Sequence, residues 1–150
     1  MLDAAATAIV CALAALNRSA ESMPPIQVIE TAPINNSVGT EAFVDRDRGT
    51  IVVIASSNVV RDAADTHGRC GDLYAVKKLA SILIHEEWHI LHGPDEAAAY
   101  RRQLVTLITL GIAPDHKVYR NVQRSMIAVL DAQKRNRPVG VMANASMSRR

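Results

Sequence analysis

The chain has 150 residues, is 49% hydrophobic and 21% charged, and carries a net charge of +2. That is ordinary globular usage for one domain large enough to bury a real core. The charge is too mild to point to a nucleic-acid partner, and the apolar run Ala4 to Leu16 is too short to span a membrane.

Aromatic residues make up only 3%, so the core must be built from Ala, Val, Ile and Leu. The two cysteines, Cys11 and Cys70, are too few for a disulfide framework. They fit a reducing compartment, with a single Cys11–Cys70 bridge as the alternative. The N-terminal run lacks a basic segment and carries Asp3, which argues against a secretory signal and for the cytoplasm.

In chain order, Leu2 to Asn17 reads as a helix that is apolar nearly all round, as a core helix is, with Cys11 as a core residue. Pro24-Pro25 marks a loop, and Ile26 to Glu30 alternates like a half-buried strand. Val38 to Val44 is a second strand, joined through Asp45–Gly49 to a third, Thr50 to Ile54. The third is β-branched throughout, as a strand covered on both faces would be.

Val59 to Asp65 is a short helix capped by Asn58 or Ser57. From Leu73 to His92 the apolar spacing becomes helical until Gly93-Pro94 breaks it. Asp95 and Glu96 open a further helix, Ala97 to Leu110, and acidic residues suit its first turn. A last helix runs from Pro114 or Asp115 to Lys134, with an apolar face of Val118, Val122, Met126, Val129 and Leu130. The remainder, 135–150, has no period and reads as a mobile tail behind one domain, 1–134. The order of helix, small strand meander and three helices predicts an α+β fold, with a mostly antiparallel sheet packed on the Leu73–His92 helix.

That helix carries His85-Glu86-x-x-His89. Residues four apart share a helix face, so two neutral imidazoles can fill two corners of a tetrahedral zinc site. Glu86 follows the first histidine, where a carboxylate can take a proton from water made acidic by the metal. His92 is on the same face, but seven residues rise about 10.5 Å along the axis. It therefore cannot share one ion with His85 and His89.

The third ligand must come from beyond the break, from Asp95 or Glu96. Reach favours Glu96, while Asp95 suits a cap. Tyr100 and Gln103 lie four and seven residues further along the Glu96 face. Tyr100 can orient Glu96, donate to a developing oxyanion, or simply pack between helices. His67, near Cys70 and Asp72, makes a weak second metal candidate without proper ligand spacing. His67 and His116 read as solvated, and Arg101-Arg102 as surface.

The segment Ser81 to Gln103 resembles the active-site segment of the zincin metallopeptidases, compact gluzincin-like members in particular. The resemblance implies a single Zn²⁺ ion held by His85, His89 and Glu96, with Glu86 as general base, and a substrate-aligning edge strand for which Thr50 to Ile54 is the candidate. The expected function is then zinc-dependent hydrolysis of a peptide or protein substrate, without nucleic acid or membrane. The other reading is a non-catalytic metal-binding, protein-interaction domain.

Overall fold

The computed structural model describes residues 2–34, 36 and 39–136. Among these it has five α-helices and one three-stranded sheet: α1 (Leu2–Ala15), β1 (Ile26–Ile29), β2 (Ala42–Asp45), β3 (Thr50–Ile54), α2 (Asn58–Ala63), α3 (Leu73–His92), α4 (Glu96–Thr109) and α5 (Lys117–Arg135). The class is α+β. Val38, expected to start the second strand, and the expected tail from 137 onward lie outside the described residues.

The sheet departs from expectation in its topology. Its order is β1-β3-β2, with β1 parallel to β3 (Ile26 opposite Ile51) and β2 antiparallel to it (Ala42 opposite Val53). It is therefore mixed rather than mostly antiparallel. The short Asp45–Gly49 connection forces β2 to fold directly back on β3. The longer Glu30–Glu41 connection lets β1 reach the opposite side of β3 in the same direction. Thr50–Ile54 is thus the central strand and not an edge. Central placement explains its unbroken apolar run, since Ile51 to Ile54 are all buried.

Helix α3 is the hub, packing on α1, α2, α4 and both β2 and β3. Its Val76, Leu79, Ala80 and Leu83 meet Ala5, Ala8 and Ala12 of α1, Val59 and Val60 of α2, and Ile51 and Val53 of the sheet. Small alanines on α1 permit this close approach. Val10, however, is 65% exposed, so α1 buries one face rather than its whole circumference. Leu104 and Leu107 of α4, Ile112, and Val118 and Val122 of α5 form a second cluster, with Met126 packed against it.

Cys11 and Cys70 are joined by a disulfide, with Cα atoms 5.7 Å apart. Cys11 is buried in the core as expected, and the bridge, the alternative the sequence left open, removes the cysteine count as an argument for a reducing compartment. It also removes Cys70 from any second metal group with His67. The third member of that group, Asp72, is committed to capping α3 through Tyr74 N at 2.7 Å and Ala75 N at 3.0 Å. His116 is half-buried rather than solvated, caps α5 by accepting from Val118 N, and stacks on Tyr74. No helix among the described residues is long and apolar enough to cross a membrane.

Candidate metal centre

The centre is built where α3 ends and α4 begins. Gly93 stops α3 at φ 105°, a conformation that strains any residue with a Cβ, and its N–H donates to the His89 carbonyl at 2.9 Å. Asp95 then caps α4, its carboxylate accepting from Ala98 N at 3.1 Å. With Asp95 so engaged, Glu96 opens α4 and turns back over the end of α3. Its carboxylate oxygens lie 3.3 Å from His85 Nε2 and 3.1 Å from His89 Nε2, and the two Nε2 atoms are 3.2 Å apart.

The remaining ring nitrogens explain why this cluster calls for a cation. His89 Nδ1 lies 2.8 Å from the Gly93 carbonyl oxygen, which can only accept, so Nδ1 carries the hydrogen. His85 Nδ1 lies 2.9 Å from Gln103 Oε1, also an acceptor. Both neutral rings then turn an Nε2 lone pair toward the carboxylate. Three acceptors that face one another need a positive charge between them, either a proton or a metal ion.

The spacing suits a metal. Two ligands at zinc bond lengths and a tetrahedral angle stand about 3.3 Å apart. One donor atom from each of His85, His89 and Glu96 falls within 4.8 Å of the others, and the three could hold a metal ion. Two imidazoles and one carboxylate form a donor set that leaves a coordination position open. The seven-residue rise leaves His92 outside the group, exposed and packed against Trp88 with ring centroids 5.0 Å apart.

Glu86 is 8% exposed. Burial pushes its carboxyl above the usual range against the lowering pull of His85 and His89, with the Glu96 charge adding to the rise. Burial opposes the charge on Glu96 too, but its contacts with the His85 and His89 rings outweigh it and hold Glu96 at about 2. For His89, burial disfavours the imidazolium. Hydrogen bonds to Glu96 and the Gly93 carbonyl, with the Glu96 and Glu86 charges, more than offset it and raise the pKa. Tyr100 packs edge-on against His85, centroids 4.5 Å apart. Burial first, then the charges of Glu96, Glu86 and Glu41, push its hydroxyl to about 12, so it stays a donor at any working pH.

These shifts fix a pH dependence for the metal-free protein. The raised His89 pKa contributes stability below its ordinary 6.5, and that contribution is lost as pH climbs through the raised value. The lowered Glu96 pKa contributes above 4.5 and is lost as pH falls toward about 2. Metal-free protein is therefore expected to resist urea better at about pH 5.5 than at about pH 8, with the difference reduced in His89→Gln. Added zinc should reverse the order, because protons and metal compete for the same Nε2. An undiminished difference in the variant would locate the titration elsewhere.

His85, Glu86, Glu96, Tyr100 and Gln103 all open onto a cleft of about 490 Å³. One wall is Gly39–Ala42, leading into β2, and the other is Val122, Val129 and Ala132 of α5. The strand segment beside the donors is therefore the approach to β2 and not Thr50–Ile54. A larger cleft of about 620 Å³, floored by Ile54, Asn58 and Tyr74, contains none of the donors. It meets the first at Gly39–Glu41 and Lys78. Lys78 pairs there with Glu41 at 3.4 Å.

The sequence pattern puts Gln103 on the Glu96 face but gives it no partner. Its contact to His85 needs the α3–α4 crossing, which periodicity does not specify. The α5 wall has the same origin. Compared with protein-family models, with characterised proteins and with solved structures, the chain finds no match.

Proposed function

We propose that the chain is a zinc-dependent peptidase. The observation that carries this reading is the convergence of His85, His89 and Glu96, with His85 and Glu96 lining a cleft and Glu86 buried beside them. The likeness of Ser81–Gln103 to the zincin segment points the same way. Zinc bound by the three residues supplies a Lewis acid that acidifies water and polarises a carbonyl.

The chain's own residues do the rest. Glu86 accepts a proton from the attacking water and delivers it to the departing amide nitrogen. The Tyr100 hydroxyl donates to the oxygen of the carbonyl under attack as charge develops there. An extended peptide lies along Gly39–Ala42, with side chains toward α5.

The test is zinc content and cleavage measured together. Protein supplied with zinc is expected to hold one ion per chain and to cut unstructured peptides, to stop when chelated, and to recover when zinc is returned. Stoichiometric zinc without any cleavage would favour the metal-binding interaction domain. Failure to take up zinc would remove both readings.

A further inference from the structure

We propose that Ser81, acting through Gln103, selects the tautomer of His85 that presents Nε2 to the metal. The inference rests on the metal-site reading above but extends it to residues that do not themselves reach the ion.

Glutamine is an ambivalent partner for a histidine. Its amide oxygen accepts and its amide nitrogen donates, and a half-turn of the amide exchanges them. With the oxygen toward His85 Nδ1, the ring carries hydrogen on Nδ1 and offers its Nε2 lone pair. With the nitrogen there, Nδ1 must accept, the hydrogen moves to Nε2, and the ring can no longer bind a metal through that atom. Something outside the pair has to choose.

Ser81 makes the choice. Its Oγ lies 2.7 Å from the Lys78 carbonyl oxygen. A carbonyl only accepts, so the hydroxyl hydrogen is committed to that contact. Ser81 Oγ then has only lone pairs left for Gln103, and Gln103 Nε2 stands 3.2 Å from it. The amide nitrogen is drawn to Ser81, and the oxygen consequently faces His85 Nδ1 at 2.9 Å. Polarity passes in three links, from a helix carbonyl to a hydroxyl, an amide and an imidazole. Ser81 and Gln103 are 0% and 4% exposed, so water does not compete for these bonds. His89 needs no such device, because its Nδ1 meets the Gly93 carbonyl directly. Ser81 and Gln103 are thus positioning residues for His85.

The experiment reads the tautomer by ¹⁵N NMR of the histidine side chains in alkaline, metal-free protein, and zinc affinity separately. The parent is expected to show His85 with hydrogen on Nδ1. In Ser81→Ala the amide loses its reference, hydrogen appears on Nε2, and zinc affinity falls about 10–100-fold. Gln103→Glu added to Ser81→Ala should restore both readouts, because a carboxylate can only accept.

If Ser81→Ala does not fold, Gln103→Leu replaces it, with a mixed His85 tautomer and the same affinity loss expected. Ser81→Ala that keeps hydrogen on Nδ1 and binds zinc like the parent would overturn the proposal. So would a folded double variant that is not rescued. If the parent takes up no zinc, the peptidase reading fails, while the tautomer measurement still decides the role of Ser81.

Discussion

Glu86→Gln is expected to bind one zinc ion per chain as the parent does and to cleave peptides about 10²–10⁴-fold more slowly. The substitution is nearly isosteric and leaves the His85, His89 and Glu96 donors unchanged, so zinc uptake has no reason to fall. What disappears is a buried carboxylate beside the cluster that makes none of the cluster's hydrogen bonds, and with it the acceptor for the water's proton. The fold should not suffer. Glu86 is buried, and a neutral amide is easier to bury than a carboxylate whose charge burial already opposes. The informative measurement is therefore the pair of numbers, zinc stoichiometry and turnover. A variant that holds zinc and cuts at the parental rate would remove Glu86 from the chemistry. A variant that loses zinc would make Glu86 part of the binding site instead.

Removing the disulfide, by Cys11→Ala with Cys70→Ala, is expected to cost about 4 kcal/mol, within the usual 2–5 kcal/mol range. The bridge closes a sequence separation of 59 residues, and the unfolded chain gains the corresponding freedom when it is cut. For a chain of this size the melting temperature should drop by roughly 8–16 °C.

Position determines which part of the molecule feels the loss. Cys70 lies two residues before Asp72, the cap of α3, so the bridge anchors the start of the hub helix to α1. The His85 and His89 end of α3 is about three and a half to four and a half turns away and has its own tie to the α1 side, where Arg18 pairs with Glu87 at 2.7 Å. Zinc affinity should consequently change little while the fold survives. A reductant should lower the melting temperature of the parent by the same amount and leave the double variant unmoved. Equal melting of oxidised and reduced parent would show that the bridge contributes nothing.

Both expectations turn on a contrast between what is local in the chain and what is not. The helix from Leu73 to His92, its end at Gly93-Pro94, the cap at Asp95 and the reversal that brings Glu96 over His85 and His89 all lie within a few turns of contiguous sequence. Helical period, capping chemistry and side-chain reach operate over that distance, so residue order alone favours Glu96 over Asp95, and the structure shows Asp95 spent on the cap. The exclusion of His92 follows from the same rise per residue.

Other features depend on segments that meet only after the chain has folded. The central position of β3 reflects the pairing of β1 on one side of it and β2 on the other. Alternation along Ile26–Glu30 or Thr50–Ile54 specifies a face but not a neighbour. The Cys11–Cys70 bridge needs α1 and the loop before α3 to meet beside α2. The wall of the cleft depends on how α5 is mounted on α4, and the contact between Gln103 and His85 depends on the crossing of α3 and α4.

The sequence by itself therefore determined the His85–His89 pair, the break after it and the choice narrowed to Asp95 or Glu96, because helical period and side-chain reach there span at most a few helical turns. Only the tertiary structure decided the mixed sheet, the disulfide and the Ser81–Gln103 link to His85. Each of those is a contact between residues distant in sequence, and packing rather than local preference chooses the partner.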